Sequence, residues 1–252
     1  MASASMHGGP LAILSDIHSN LDALEVVMAE LDAAGIDNVV CLGDVVGYAA
    51  YPEECINRVR QRGWHTVLGN HDDALDNPLA KGQMNDVANA GLRLAEKQVS
   101  GGNREWLDSL PVKLSRPHAV FTHASLDSSE EWPYLIDVKS ALLHFLVQQI
   151  PLCFVGHTHQ PMVINCQSKS KLDVLIPTQE QIRLPKSGKT TVNVGSVGQP
   201  RDGDPRACYV LYFPQTHHVE FRRIAYDVKA AQKAIRKAGL PPFTAKRLAQ
   251  GF

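Results

Sequence analysis

The chain has 252 residues, a hydrophobic fraction of 44% and a formal net charge of -1. This apolar share is enough for a substantial core, and the near-neutral charge excludes a global attraction to nucleic acid or anionic lipid. The five cysteines, an odd number without a Cys-x-x-Cys pair, argue against a disulfide framework and against a zinc ribbon.

The first residues carry neither the basic nor the apolar segment of a secretory signal. We expect residues 1–10 to form a flexible leader and residues 11–252 to form a single domain. No run in the chain approaches the ~18–20 apolar residues that a membrane span requires. These features predict a cytoplasmic protein without membrane contact, and they leave its oligomeric state open.

Six short apolar runs, many of them β-branched, predict buried strands. They cover residues 11–14, 39–42, 66–68, 119–122, 152–155 and 191–194. Apolar residues at helical spacing predict a first helix between Asn20 and Gly35, and Pro52 begins a second that reaches about Arg62. Strands that alternate with helices are typical of an α/β sheet.

The segment 73–110 has a helical pattern, broken at 100–102, and we expect a helical insertion beside the sheet. The polar segment 165–189 predicts an excursion or hairpin rather than a linker between domains. Two further strands and a final helix are expected at 207–213, 218–224 and 227–238.

Polar side chains follow five of the predicted strands at the point where each strand ends. They are Asp16, His18, Asp44, Asn70, His71, His123, His157 and His159. In open α/β sheets the ligand crevice lies beyond the carboxyl ends of the strands, so these side chains can converge. Any one of them alone would more often be a structural residue. Together, without a cation, they would leave many polar groups poorly paired.

The number and type of these groups predict a metal centre. One catalytic ion needs three protein ligands, so eight candidates suit two ions that share a bridging carboxylate. Imidazole and carboxylate without thiolate favour Mn, Fe, Zn, Co or Ni over Mg or Ca. Two ions about 3.5–4 Å apart clamp the attacking and leaving oxygens of an in-line displacement, typically at phosphorus.

Five motifs, in their order along the chain, resemble the signature of calcineurin-like metallophosphoesterases. They are Asp16-x-His18, Gly43-Asp44, Gly69-Asn70-His71-Asp72, His123 and Gly156-His157-x-His159. The stretch 193–201 also resembles the small bacterial and archaeal phosphodiesterase-like branch of that superfamily. The resemblance implies a two-sheet β-sandwich flanked by helices, a four-layer αββα fold, with a dinuclear centre.

The resemblance also implies a role for each residue. Asp16, His18 and His159 would hold one ion. Asn70, His123 and His157 would hold the other, and Asp44 would bridge both. His71 matches the catalytic histidine that is not a ligand, and Asp72 would orient it. The expected reaction is attack of a bridging hydroxide on a phosphate ester.

The substrate is less determined by the sequence. Arg201 and Arg206 lie in a loop beyond a strand, where each would contact a substrate phosphate or form a surface ion pair. Protein phosphatases and diadenosine-tetraphosphate hydrolases of the superfamily carry an arginine soon after Gly-Asp, and residues 45–52 contain none. A phosphodiester or a small phosphate ester or nucleotide is therefore favoured.

Three alternatives stay open: a metal-dependent Ser/Thr protein phosphatase, a diadenosine-tetraphosphatase-like hydrolase, and a non-catalytic scaffold with the same fold. A nucleic-acid partner is not expected, because the basic residues of 227–252 fit a solvated helix face.

Overall fold

The computed structural model describes residues 9–168 and 171–252. Most of the predicted leader falls on residues 1–8, which lie outside the described residues. The helices are α1 (Leu21–Ala33), α2 (Pro52–Gln61), α3 (Asn70–Asp73), α4 (Pro78–Gly82), α5 (Asp86–Gln98), α6 (Gly101–Asp108), α7 (Val138–Val147), α8 (Val228–Lys237) and α9 (Pro242–Leu248). A short 3-10 helix covers Ser129–Glu131. Among these helices none is long and apolar enough to cross a membrane.

The strands form two six-stranded sheets, which confirms the predicted α/β sandwich. The first sheet has the order β3-β2-β1-β11-β12-β9, with β1 (Leu11–Leu14), β2 (Val39–Cys41), β3 (His65–Thr66), β9 (Gln181–Arg183), β11 (Ala207–Phe213) and β12 (His218–Ile224). The second has the order β4-β5-β6-β10-β7-β8, with β4 (Lys113–Arg116), β5 (Ala119–Thr122), β6 (Leu152–Val155), β7 (Met162–Ser168), β8 (Lys171–Leu175) and β10 (Lys189–Asn193).

Strand β1 shows how the layers are built. Leu11 and Ile13 face the second sheet, where they share a core with Phe121 and Phe154. Ala12 and Leu14 point to the opposite side and pack in a cluster with residues of α1 and α2. Because successive side chains of a strand alternate between its faces, a continuous apolar run marks a strand covered on both sides.

Parallel pairing sets the position of the site. Strands β1, β2 and β3 run parallel to one another, as do β5, β6 and β10. Their carboxyl ends therefore lie together at one end of the sandwich, where the connecting loops leave each sheet.

Several predicted bounds change. The strand predicted at 66–68 is β3 at 65–66, because the Leu68 amide leaves the sheet and donates to the Pro111 carbonyl. The predicted insertion contains three helices, α4 to α6, and its break falls at residues 99–100, whereas residues 101 and 102 of the predicted break belong to α6. In the 165–189 segment, β7 and β8 form an antiparallel hairpin, whereas β9 joins the other sheet. Strand β4 and helices α7 and α9 were not predicted.

Candidate metal centre

The side chains predicted to bind metal lie at the carboxyl ends of strands from both sheets. Asp16 and His18 follow β1, Asp44 follows β2, and Asn70 follows β3. His123 follows β5, and His157 and His159 follow β6. The members of this set, Asp16, His18, Asp44, Asn70, His123, His157 and His159, are all at least 92% buried.

Five of these seven residues have a left-handed backbone, a conformation that costs about 1–3 kcal/mol for a residue with a side chain. Their φ angles are 56° at Asp16, 50° at His18, 53° at Asp44, 64° at His157 and 59° at His159. Hydrogen bonds between the loops hold this conformation. The amide of Asp16 donates to Gly43 O, and the amide of His18 donates to Asp44 O. Such strain concentrates at sites where side chains must be aimed.

The first group of candidate ligands is Asp16, His18 and His159. The Nε2 atoms of His18 and His159 lie 3.0 Å apart, and Asp16 Oδ1 lies 3.1 Å from His159 Nε2. The other ring nitrogen of each histidine faces a carbonyl: His18 Nδ1 that of Val46 at 3.1 Å, and His159 Nδ1 that of Gln199 at 2.6 Å. A carbonyl oxygen only accepts, so the proton of each neutral ring is on Nδ1 and both Nε2 atoms present lone pairs.

The second group is Asp44, His123 and His157, with Asn70 beside them. His123 Nε2 lies 3.0 Å from Asn70 Oδ1 and 3.1 Å from His157 Nδ1. His123 Nδ1 lies 2.8 Å from the Leu42 carbonyl, which orients the ring so that Nε2 faces the group. A backbone carbonyl bonded to the far ring nitrogen is the usual support of a metal-binding histidine.

Asp44 lies between the two groups. Its Oδ2 atom is 3.5 Å from His18 Nε2 and 3.4 Å from His123 Nε2. Its Oδ1 atom accepts a hydrogen bond of 2.8 Å from the His71 amide, which holds the carboxylate in place. One carboxylate oxygen that faces both groups has the position of a bridging ligand.

The protonation states of the titratable members other than His123 agree with a set of cation ligands. Burial lowers the pKa of His18 and of His159 and lowers that of His157 to about 3, so these rings are neutral at pH 7. Burial opposes ionisation of Asp16 and Asp44. The pKa of Asp16 is nevertheless lowered by His159, and the pKa of Asp44 is lowered by His123. Although burial acts against it, the Asp44 carboxylate raises the pKa of His123 to about 9.

This donor set fits divalent transition-metal ions. Two nitrogen ligands, each ~2.0–2.1 Å from a tetrahedral ion, stand about 3.3 Å apart, close to the separations of the ring nitrogens here. Asp16 Oδ1 and His157 Nε2 are buried and have no hydrogen-bond partner among the described residues. Asp16 Oδ1 faces the Nε2 atom of His159 at 3.1 Å, and a cation between these two acceptors would satisfy both.

His71 also enters this cluster. Its ring lies 4.8 Å from that of His18, and burial lowers its pKa to about 4. Within the part of the chain that the structure describes, its Nδ1 atom is buried without a hydrogen-bond partner. His18, Asp44 and His71 form a third grouping of closely spaced atoms that could bind metal. The geometry alone therefore allows His71 to be either a metal ligand or a catalytic residue that does not bind metal.

Asp72 makes contacts other than the expected one. Its Oδ1 accepts from the Val46 amide at 3.0 Å and its Oδ2 from the Gly69 amide at 3.2 Å, rather than from the His71 ring. Burial and then Asp44 raise its pKa to about 7. The carboxyl therefore joins the loops after β2 and β3, and it positions His71 through the backbone.

The two predicted substrate arginines lie in different surroundings. Arg201 lies over the ring of Tyr48, with its Cζ 5.9 Å from the ring centre, and Tyr48 is 4.7 Å from both His18 and His71. Arg206 is exposed and makes a two-pronged ion pair with Asp204, with Nη2 and Oδ2 2.6 Å apart. The structure thus brings Arg201 to the histidine cluster and engages Arg206 elsewhere.

Two aromatic residues at the cluster were missed or left unassigned by sequence reasoning. Tyr134, on the loop before α7, stacks on His157 at 4.0 Å although its side chain is 47% exposed. Tyr48 has a left-handed backbone with φ of 47°. The nearby Gly43-Asp44 motif was the only sequence signal for Tyr48, and Tyr134 had none.

The chain belongs to the calcineurin-like phosphoesterase superfamily, whose domain model matches residues 10–216. An uncharacterized protein of Methanocaldococcus jannaschii is 34% identical over 246 residues, which are 96% of this chain and 98% of that protein. The crystal structure of a metallophosphoesterase from Sphaerobacter thermophilus is 36% identical, with a TM-score of 0.85 over 97% of this chain and 99% of that one. A hypothetical protein of Pyrococcus horikoshii shares the fold at 20% identity, with a TM-score of 0.76 over 96% and 98% of the two chains.

Proposed function

We propose that this protein is a metal-dependent phosphoesterase that hydrolyses a small phosphodiester or nucleotide. The observation that carries the proposal is the convergence of two ionised carboxylates with lone pairs of buried histidines. His18 Nε2 and His159 Nε2 face each other at 3.0 Å, and Asp44 Oδ2 lies within 3.5 Å of both His18 and His123. Membership in a phosphoesterase superfamily supports hydrolysis as the reaction.

Asp16, His18 and His159 would hold one divalent ion, Asn70, His123 and His157 the other, and Asp44 both. When bound, such a pair of ions supplies Lewis acidity and a nucleophile at neutral pH. The choice among Mn, Fe, Zn, Co and Ni follows from the nitrogen and oxygen ligands and is part of the proposal.

The remaining residues would act on the substrate itself. His71, neutral at pH 7 and in contact with His18, would donate a hydrogen bond from its ring N–H to the leaving oxygen. Arg201 would stabilise the negative charge that develops on the phosphoryl oxygens. Asp72 would keep His71 in position by joining the two loops that flank it.

The preference for a small phosphodiester or nucleotide rests on the loop after Asp44. Residues 45–52 carry no arginine, and Tyr48, one of the two tyrosines in this segment, contacts His18 and His71. A guanidinium binds phosphate with two parallel hydrogen bonds, and a phenol cannot reproduce that contact.

The test combines metal analysis of the purified protein with turnover after reconstitution with each of the five metals. The panel contains bis(p-nitrophenyl) phosphate, p-nitrophenyl phosphate, nucleotides, diadenosine tetraphosphate and a phosphoserine peptide. We expect about two ions per chain and faster turnover of small diesters or nucleotides than of the peptide. Metal-loaded protein that hydrolyses none of these compounds would support the scaffold alternative instead.

A further inference from the structure

Two arginines from distant parts of the chain meet at the ring of Tyr48. Arg201 follows β10, and Arg247 lies on the C-terminal helix α9. The Cζ atom of each lies 5.9 Å from the centre of the Tyr48 ring. Helix α9 was not predicted, and the basic residues of 227–252 were expected on a solvated helix face. The packing of α9 on α8 instead brings Arg247 to the ring of Tyr48.

Neither arginine is paired with an aspartate or glutamate among the described residues. By contrast, Arg62 forms an ion pair with Asp32, and Arg206 forms one with Asp204. Within residues 9–168 and 171–252, the Nε atom of Arg201 is buried and has no hydrogen-bond partner, whereas that of Arg247 donates to the main-chain oxygen of Phe252. An unpartnered buried donor on a cation is a position that an anionic ligand would fill.

The proximity of the two cations is itself unfavourable. Burial, and then the neighbouring charge of Arg201, lower the pKa of Arg247 to about 10. Two like charges in a partly desolvated place destabilise each other, and a bound anion would remove that repulsion.

The two guanidinium groups lie at different depths. Arg201 lies next to the histidine cluster, because its amide donates to the carbonyl of His159 at 3.2 Å and its guanidinium lies over Tyr48. Arg247 lies farther out, over the ring of Phe243 at 5.3 Å, and the side chain of Phe243 is 46% exposed. A cation beside an exposed aromatic ring suits a phosphate attached to a nucleoside, because the base can stack on the ring.

We propose that Arg247 binds a second phosphoryl group of the substrate, distinct from the phosphoryl group near Arg201 that is hydrolysed. The substrate class is then a nucleotide ester that carries an additional phosphate. The kinetic test of this inference rests on the proposed function, because it requires hydrolysis, whereas the binding test does not.

The kinetic test compares the p-nitrophenyl ester of thymidine 5′-phosphate with the same ester carrying a 3′-phosphate. The quantity measured is the ratio of kcat/KM for the two esters in the metal-loaded full-length protein. We expect wild type to favour the ester with the 3′-phosphate, and Arg247→Gln to lower that ratio ~10–100-fold, the usual size of a lost charged hydrogen bond. Arg247→Lys keeps the positive charge, and we expect it to retain part of the preference for the ester with the 3′-phosphate.

Lys246→Gln is the matched control, because it removes one positive charge from an exposed position of the same helix. It is expected to leave the ratio unchanged. Circular dichroism and thermal unfolding establish that each variant is folded before its kinetics are compared.

The binding test uses calorimetry with thymidine 3′,5′-bisphosphate and thymidine 5′-phosphate, and it needs no turnover. Wild type is expected to bind the bisphosphate more tightly, with an advantage that Arg247→Gln removes and Lys246→Gln keeps. If wild type hydrolyses neither ester, the proposed function fails while this measurement still decides the subsite. Equal affinity of wild type for both nucleotides, or an equal loss for both in Arg247→Gln, overturns the inference.

Discussion

His18 and His159 present unprotonated Nε2 atoms to each other at 3.0 Å, while the Nδ1 atom of each ring donates to a backbone carbonyl. The two rings cannot share a proton without giving up one of those carbonyl bonds or becoming charged in a buried place. Asp16 Oδ1, 3.1 Å from His159 Nε2, adds a third acceptor. A divalent cation between these three acceptors would satisfy all of them at once.

Replacement of Asp44 by Asn is expected to remove bound metal and to lower kcat by ~10²-fold or more. The amide keeps the size of the side chain but removes the charge that faces both His18 and His123. Metal per chain is measured by mass spectrometry alongside kcat, with Asp37→Asn as an exposed control. Full metal content and activity in Asp44→Asn would show that this carboxylate does not bridge.

His71→Gln separates a catalytic role from a ligand role. If His71 acts on the leaving oxygen, kcat falls by about 10²–10⁴-fold while both ions stay bound. His123→Gln, which removes a ligand in the proposed arrangement, is expected to lower metal content instead. Loss of an ion from His71→Gln would assign His71 to the third grouping, with His18 and Asp44.

Gly47→Ala is expected to reduce both stability and kcat. Gly47 has φ of +112°, and a Cβ there would lie 2.6 Å from His71 Nδ1 and 3.0 Å from His18 Nδ1. Gly35→Ala is the matched control, because Gly35 has φ of +63° and open space around it. In the Gly35→Ala protein the free energy of unfolding should fall by about 1–2 kcal/mol, the usual cost of a left-handed residue with a side chain. The free energy of unfolding and kcat are measured for the two variants. If Gly47→Ala changes each quantity no more than Gly35→Ala does, the added Cβ at position 47 does not press on His71 and His18.

His144 predicts a loss of stability in mild acid. Its ring is buried between β10 and the loop after β5, where it contacts Thr191 Oγ1 at 2.9 Å and the Leu126 amide at 3.0 Å. Burial lowers its pKa to about 4, from 6.5 in the unfolded chain. The folded state therefore binds fewer protons, so this contribution is complete above pH 6.5 and is lost as the pH falls to about 4.

The measurement is the free energy of unfolding of metal-free protein between pH 7 and pH 4. The decline should be smaller in His144→Gln than in wild type, since glutamine does not titrate. An identical decline in both proteins would mean that His144 is not buried as a neutral ring.

The fold and the site differed in how far they could be predicted. Strands β1, β2, β5 and β6 are buried on both faces, so each is an almost entirely apolar run, and polar residues follow within a few positions. Strand β4 was missed because its side chains are exposed or half-buried at a sheet edge. Helix α7 was missed because Leu146 and Val147 are exposed, which blurs its apolar stripe.

The sequence by itself determined the candidate ligands, because each follows a strand and parallel strands end together. Only the tertiary structure decided which atoms face each other. His18 and His159 are 141 positions apart, and their contact depends on both sheets and on left-handed backbone that no local pattern announces. Arg247 likewise gained its place beside Tyr48 through the packing of α9 on α8, since a basic residue on a short helix carries no signal of what it will contact.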